Sequence, residues 1–307
     1  MTPRHPATPT PRLQEVAEDV FAYVQPDGGW CLNNAGLVVS DGCSALVDTA
    51  ATQARAQALK EAVARVSPQP PRLVVNTHSH GDHTFGNHLF ADDAVIVAHE
   101  GARAEMEATG LHLTGLWPDV PWGEITVTLP DLTFRDRLTL HVGRVRAELV
   151  HLGPAHTASD TVVWLPDRRV LYAGDLVMSG ATPFCLMGSV AGTIEVMERL
   201  RAFGAETIVP GHGPVGGPEL LDVTEGYLRR VQELAAEGIA AGVTPLEAAR
   251  DADLGAYADL LDSERLVPNL HRAYAEARGA APGEPMDVGL LFSEMVAHHG
   301  GLPACRA

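Results

Sequence analysis

The sequence predicts an α/β core with a helical appendix, on three observations. Up to residue 218, short β-rich runs are interspersed with stretches at helical spacing. Turn residues such as SDG and LPDRR separate the runs closely, as hairpins require. From 219 to 278 only helical periodicity remains. Residues 1–218 are therefore expected to form the core and 219–307 an extension.

Each element follows from local chemistry. Residues 1–12 are polar and proline-bearing and read as a loose leader; an apolar secretory stretch is missing, so a cytoplasmic protein is expected. VFAYV (20–24) is β-rich, and in AGLVVSDGCSALVDT the SDG turn joins two further β runs. Residues 51–66 place Ala56, Leu59, Val63 and Val66 on one helical face, and Pro68 and Pro70 stop that helix. PRLVVNT (71–77) and AVIVA (94–98) read as buried strands. TVTLP (126–130), LTFRDRLTLHV, VRAELVHL and TVVWLPDRRVLYAG continue the strand pattern. A helix over 194–204 and a strand at TIVPG (207–211) close the core. Beyond Pro218, residues 223–242 form an amphipathic helix ending in Gly. Thr244, Pro245 and Glu247 spell the start of another as a capping box. Residues 279–307 read as a tail with little regular structure.

Composition narrows the function. With 22 Lys and Arg against 39 Asp and Glu, the net charge of −17 repels phosphate backbones, so a nucleic-acid partner is not expected. A run of 18 apolar residues is absent, so no membrane span is expected. The four cysteines, Cys31, Cys43, Cys185 and Cys305, form no CxxC pair and suit a reduced compartment; a Cys31–Cys43 disulfide is the competing reading. The 14 histidines outnumber the 5 Tyr and 7 Phe together. Histidine is the commonest metal ligand.

Right after the VVNT strand comes His78-Ser79-His80-Gly81-Asp82-His83, four metal-competent side chains within six residues. Imidazole with carboxylate suits zinc best, with manganese or iron as alternatives. A solvated polar loop is the bland alternative, and three His with one Asp in so short a run argue against it.

HSHGDH resembles the HxHxDH signature of the metallo-β-lactamase superfamily. The likeness continues through Asn34-Ala35-Gly36 and LVVSDGCSALVDT, then GPAHTASD, LYAGDL and VPGHGP, in the family's order. It implies a four-layer αββα sandwich with the helices after 218 as a C-terminal extension. It implies that His78, His80 and His156 hold one zinc ion, that Asp82, His83 and His212 hold a second, and that Asp175 bridges both. It further implies that two such ions would activate a shared water as the attacking hydroxide, with Asp82 orienting it and returning the proton. His151, five positions before His156, competes for the same role, although Pro-Ala-His-Thr matches the family at His156. Gly211 and Gly213 mark an exposed tight turn around His212.

The expected activity is hydrolysis of an ester, thioester or lactone. A β-lactamase or other amide hydrolase is the second reading, and a non-catalytic metal-stabilised binding module the third, with residues 219–278 as its interface. Residues 100–124, with Trp117 and Trp122, read as a lid helix and loop over the site. The apolar loop after Asp175, with Phe184 and Met187, has no Lys or Arg and favours a large uncharged substrate; Cys185 is expected as a wall residue there. The helical appendix is similar to that of actinobacterial members of the superfamily, including polyketide cyclase/thioesterases of aromatic antibiotic pathways. That likeness implies a small-molecule substrate, free or as a carrier-bound acyl chain, although an acidic enzyme is not steered to an acidic carrier. The C-terminal helices are a candidate surface for a homo-oligomer.

Overall fold

The β-rich runs assemble into two sheets in the structure, a computed structural model that describes residues 10–307. The first sheet holds β1 (Arg12–Ala17), β2 (Val20–Val24), β3 (Ala35–Ser40), β4 (Cys43–Val47), β5 (Leu73–Val75), β6 (Val95–His99) and β7 (Leu132–Phe134), side by side in that order. β1 to β4 pair antiparallel and β4 to β7 parallel. Asp41 and Gly42 both take positive φ, 50° and 73°, which the two-residue turn between β3 and β4 requires.

The second sheet holds β8 (Arg137–Val142), β9 (Val145–His151), β10 (Thr161–Leu165), β11 (Val170–Met178) and β12 (Thr207–His212), in the order β12-β11-β10-β9-β8. Val38, Val47, Val75 and Val97 of the first sheet meet Leu149, Val163, Leu165 and Tyr172 of the second in one buried layer. The helices cover the outer faces. α1 (Gln53–Ala64) lays Leu59 and Val63 on Val74 and Ile96. The short α2 (Gly81–Thr84), α3 (Glu100–Thr109) and α4 (His112–Leu116) follow β5 and β6. On the far side α5 (Val190–Arg201) sets Met197 and Leu200 against Leu171 and Ile208. The architecture is the expected helix–sheet–sheet–helix sandwich.

Beyond it, α6 (Glu219–Ala241), α7 (Pro245–Arg250), α8 (Leu266–Ala277) and α9 (Val288–His299) pack together around Tyr227, Val231, Leu270 and Met295. The capping box at α7 forms as expected, Thr244 accepting from the Glu247 N–H and Glu247 from that of Thr244. Thr244→Ala should lower stability by about 1 kcal/mol, read as a lower urea midpoint at unchanged slope.

Three expectations need correction. Residues 1–9 of the leader lie outside the described residues, but its last residue, Arg12, opens strand β1, whose edge position and half-buried side chains leave little hydrophobic signal. Residues 279–307 contain α9, started by the Asp287 side chain on the Leu290 N–H and closed by Gly300 at φ 83°. Exposed Val288 and Leu290 blur its amphipathic period. TVTLP forms no strand. The chain reaches β6 only at Asp131, whose carboxylate accepts from the Ile96 N–H at 3.2 Å.

Candidate metal centre

Strand ends carry the candidate ligands to one place. His78 and His80 leave β5, Asp82 and His83 sit in α2, His156 lies between β9 and β10, Asp175 is in β11 and His212 ends β12. Glycines permit the close approach. A Cβ on Gly211 would stand 1.9 Å from Asp175 Oδ1, and one on Gly174, at φ 53°, 2.7 Å from Thr77 Oγ1. The expectation of an exposed turn at Gly211 and Gly213 is corrected: both are buried, and Gly213 abuts the Ser179 carbonyl.

The seven side chains fall into two clusters, His78, His80, His156 and Asp175, then Asp82, His83 and His212. In the first, His80 Nδ1 lies 3.1 Å from His78 Nε2 and 2.9 Å from His156 Nε2, and Asp175 Oδ2 lies 3.4 Å from His156 Nε2. In the second, His212 Nε2 lies 3.3 Å from Asp82 Oδ2. Asp175 reaches across, its Oδ2 3.4 Å from His212 Nε2 and its Oδ1 3.1 Å from His83 Nε2.

These spacings fit a cation. Donors about 2.0–2.1 Å from a tetrahedral zinc stand roughly 3.3 Å apart. Buried His83 Nε2 and Asp175 Oδ1 have no hydrogen-bond partner, an uncompensated arrangement that a cation between them would satisfy.

A second layer of bonds aims the rings. His83 Nδ1–H donates to Asp48 Oδ2 at 2.8 Å, His78 Nδ1–H to Thr77 Oγ1 at 3.0 Å and His212 Nδ1–H to the Gly28 carbonyl at 3.1 Å; His156 Nδ1–H donates to the Phe184 carbonyl. Each leaves Nε2 as the inward lone pair. His80 is reversed, with Nδ1 inward. Asp48 also accepts from the Thr77 N–H and Oγ1, both at 2.7 Å. The sequence reading missed it, although an acid ending the LVDT run is its signal. Asp48→Ala strands three buried donors and should weaken metal binding about 10–100-fold, measured by competition with a chromophoric chelator.

The electrostatics divide the same way. Burial, and then the His83 charge, push His78 well below its ordinary value, and burial lowers His80 and takes His156 to about 3. Burial would lower His83 and His212 too, but the Asp175 carboxylate, with Asp48 and Asp82 beside His83 and Asp82 beside His212, raises both, His212 to about 9. Against the desolvation that raises it, His83 and His212 hold Asp82 down at about 2. His151 lies elsewhere, its ring stacked on His99 at 4.3 Å and its Nδ1–H bonded to the Asp160 carbonyl.

The clusters open into a cavity of about 760 Å³. Trp117, Phe184 and Met187 line it, as do Met106, Leu113 and Leu116 of the expected lid. Trp122 does not. It sits behind the wall, its Nε1–H donating to the Trp117 carbonyl at 3.0 Å and its ring against Phe85. Cys185 also lies behind the wall, bonded to Thr193, where burial lifts its thiol to about 12; the wall expectation is corrected there.

The sequence reading also missed Trp30 and the C-terminal contribution. Trp30 lines the cavity, with Trp117, Phe184 and Phe292 at ring distances of 5.4, 5.5 and 6.5 Å. Its Nε1–H donates to Glu264 at 2.7 Å and the Arg265 guanidinium lies 4.0 Å over its ring. Gly-Gly-Trp-Cys in a loop was the available signal. Arg265 is itself occupied by Asp262 at 2.9 Å and the Thr182 carbonyl at 3.0 Å.

A family model described as Metallo-beta-lactamase superfamily matches residues 28–212. The chain belongs to the metallo-β-lactamase superfamily. Its two His/Asp clusters could hold two metal ions. A linear primary-alkylsulfatase of Pseudomonas sp. (strain ATCC 19151) is 24% identical over 66% of this chain and 46% of its own. A metallo-β-lactamase type 2 of Bacteroides fragilis is 23% identical over 72% of this chain and 86% of its own. An acyl-coenzyme A thioesterase of Homo sapiens is 29% identical over 52% of this chain and 63% of its own. The chain thus spans less than two thirds of the sulfatase and of the thioesterase. The crystal structure of the DIM-1 metallo-β-lactamase superposes with a TM-score of 0.59 at 21% identity, over 72% of this chain and 98% of that one, and shows the shared fold. Arg265 and Phe292 lie outside the matched residues. Among the described residues no helix is long and apolar enough to cross a membrane.

Proposed function

We propose that this superfamily member is a dinuclear zinc-dependent hydrolase of esters, thioesters or lactones bearing a bulky apolar group. One observation carries the reading: two clusters, with Asp175 of the first 3.1–3.4 Å from His83 and His212 of the second, open into a cavity walled by Trp30, Trp117, Phe184 and Phe292. His78, His80, His156 and Asp175 would hold one ion, and Asp82, His83 and His212 the other, within reach of Asp175. The nitrogen-rich donor set favours zinc over manganese or iron. Two bound divalent ions supply Lewis acidity and lower the pKa of a coordinated water.

The chain's own residues do the rest. Asp82 lines the cavity beside His212, so its carboxylate can accept a hydrogen bond from the attacking water and hold it in line. The aromatic wall excludes bulk solvent and receives the apolar part of the substrate. With Arg265 already paired, the wall favours an uncharged group over a phosphate. A polyketide, free or carrier-bound, meets this description and makes thioesterase or cyclase the narrower form. The cytoplasm is the proposed compartment, in keeping with four free cysteines.

The test is a panel of aryl and alkyl thioesters, esters and lactones with protein loaded to two zinc ions per chain. Turnover that rises with acyl size is expected; no turnover of any class in two-zinc protein overturns the reading. The likeness to type 2 metallo-β-lactamases favours amide hydrolysis as the second reading, and faster turnover of a chromogenic cephalosporin than of every ester would select it.

A further inference from the structure

We propose that Cys31 and Cys305 are a reversible redox site, closing to a disulfide that staples the C-terminal segment to the wall of the metal-site cavity. The fold brings the two thiols into one neighbourhood although 274 residues separate them (305 minus 31). Both belong to one apolar cluster with Phe85, Trp117 and Trp122, whereas Cys43 packs between the sheets and Cys185 among the C-terminal helices. Cys31, joined to Cys43 only in the competing reading of the sequence, thus faces a different partner.

Contacts on both sides of Cys305 hold it there. Trp117 Nε1–H donates to the Pro303 carbonyl at 2.7 Å, Arg55 donates to the Arg306 carbonyl, and Arg306 pairs with Asp27. Asp27 and Cys31 share one loop, so the segment around Cys305 lies across the loop that carries Cys31. That same loop presents Trp30 to the cavity and the Gly28 carbonyl to His212.

Accessibility sets the order of events. Cys31 is 2% exposed, whereas Cys305 is half-buried and within reach of solvent. The Cys31 thiol and the Ala307 N–H hold the Cys305 thiol below its ordinary range, while burial opposes them. The oxidant is a low-molecular-weight disulfide such as oxidised glutathione. Cys305 thiolate attacks one of its sulfurs and expels a thiolate, leaving a mixed disulfide. Cys31 then gives up its proton, attacks Cys305 Sγ and expels the second small thiolate. Two protein thiols become one disulfide, one small disulfide becomes two thiols, and two electrons and two protons pass to the small thiol.

The test uses the full chain in mixtures of reduced and oxidised glutathione, quenched by acid. Wild type should yield a species lighter by two hydrogens, with the Cys31 and Cys305 peptides joined in a non-reduced digest and separated by dithiothreitol. Cys305→Ser should leave Cys31 reduced. The oxidised wild type should unfold at a higher temperature than its reduced form, because the link closes nearly the whole chain into a loop. Four thiols that stay free across the mixtures, a glutathione adduct left unresolved on Cys305, a Cys31–Cys43 link, or an oxidised form that unfolds no later than the reduced one would each overturn the proposal. These readings come from wild type, so they stand even if the variant folds poorly.

Discussion

Asp175→Ala is expected to lower hydrolysis about 10³-fold and to bring the metal content from two per chain to one or none. Asp175 is the side chain that reaches both clusters, its two oxygens lying 3.1–3.4 Å from nitrogens of His83, His156 and His212. Losing it removes a donor from each cluster at once and leaves buried imidazoles facing one another. Charge stabilisation by metal ions is worth several kcal/mol, and each 1.36 kcal/mol is about tenfold in rate. Asp175→Asn keeps the shape and one oxygen and should fall between wild type and Ala. Elemental analysis and initial rates check both, and an Ala variant with two metals and a rate within about tenfold of wild type would contradict the assignment.

Metal binding should release protons unequally, about two on filling the second cluster and close to none on filling the first. In metal-free protein at pH 7, His78, His80 and His156 are held neutral by burial, so their donor atoms are open. His83 and His212 are raised, the latter to about 9, and must each lose a proton. The second affinity should therefore rise with pH by up to about tenfold per unit for each proton released, levelling above about 9. The sign for folding is opposite. A raised histidine stabilises the metal-free fold fully below its unfolded value, about 6.5, and that stability fades as pH climbs through about 9. Calorimetry in buffers of different ionisation heat counts the protons, and equal release at the two clusters would contradict this division.

The candidate ligands were legible because each sits in a short local motif at the end of a strand, where a few residues state both the turn and the chemistry. His80 shows the limit of that reading. Its place in HSHGDH marks it as a ligand, but which nitrogen faces inward depends on ring packing against His78 and His156. Asp48 looked like an ordinary strand end, since its partners His83 and Thr77 lie about thirty residues on. Trp30 gains its role only from Glu264 and Arg265, more than two hundred residues away. The missed β1 and α9 share one cause, too little buried apolar surface to imprint a period on the chain.

Trp30's attachment to Glu264 and Arg265 bears on how such a protein diversifies. Every candidate ligand lies before residue 213, whereas Glu264, Arg265, Met286 and Phe292 shape the cavity from beyond residue 260. Inherited changes in the last stretch of the chain can then re-aim the indole and alter what is admitted, leaving the bond-breaking apparatus untouched. Part of the choice of substrate is thus written in a passage of the sequence that holds no candidate ligand, free to drift at its own rate.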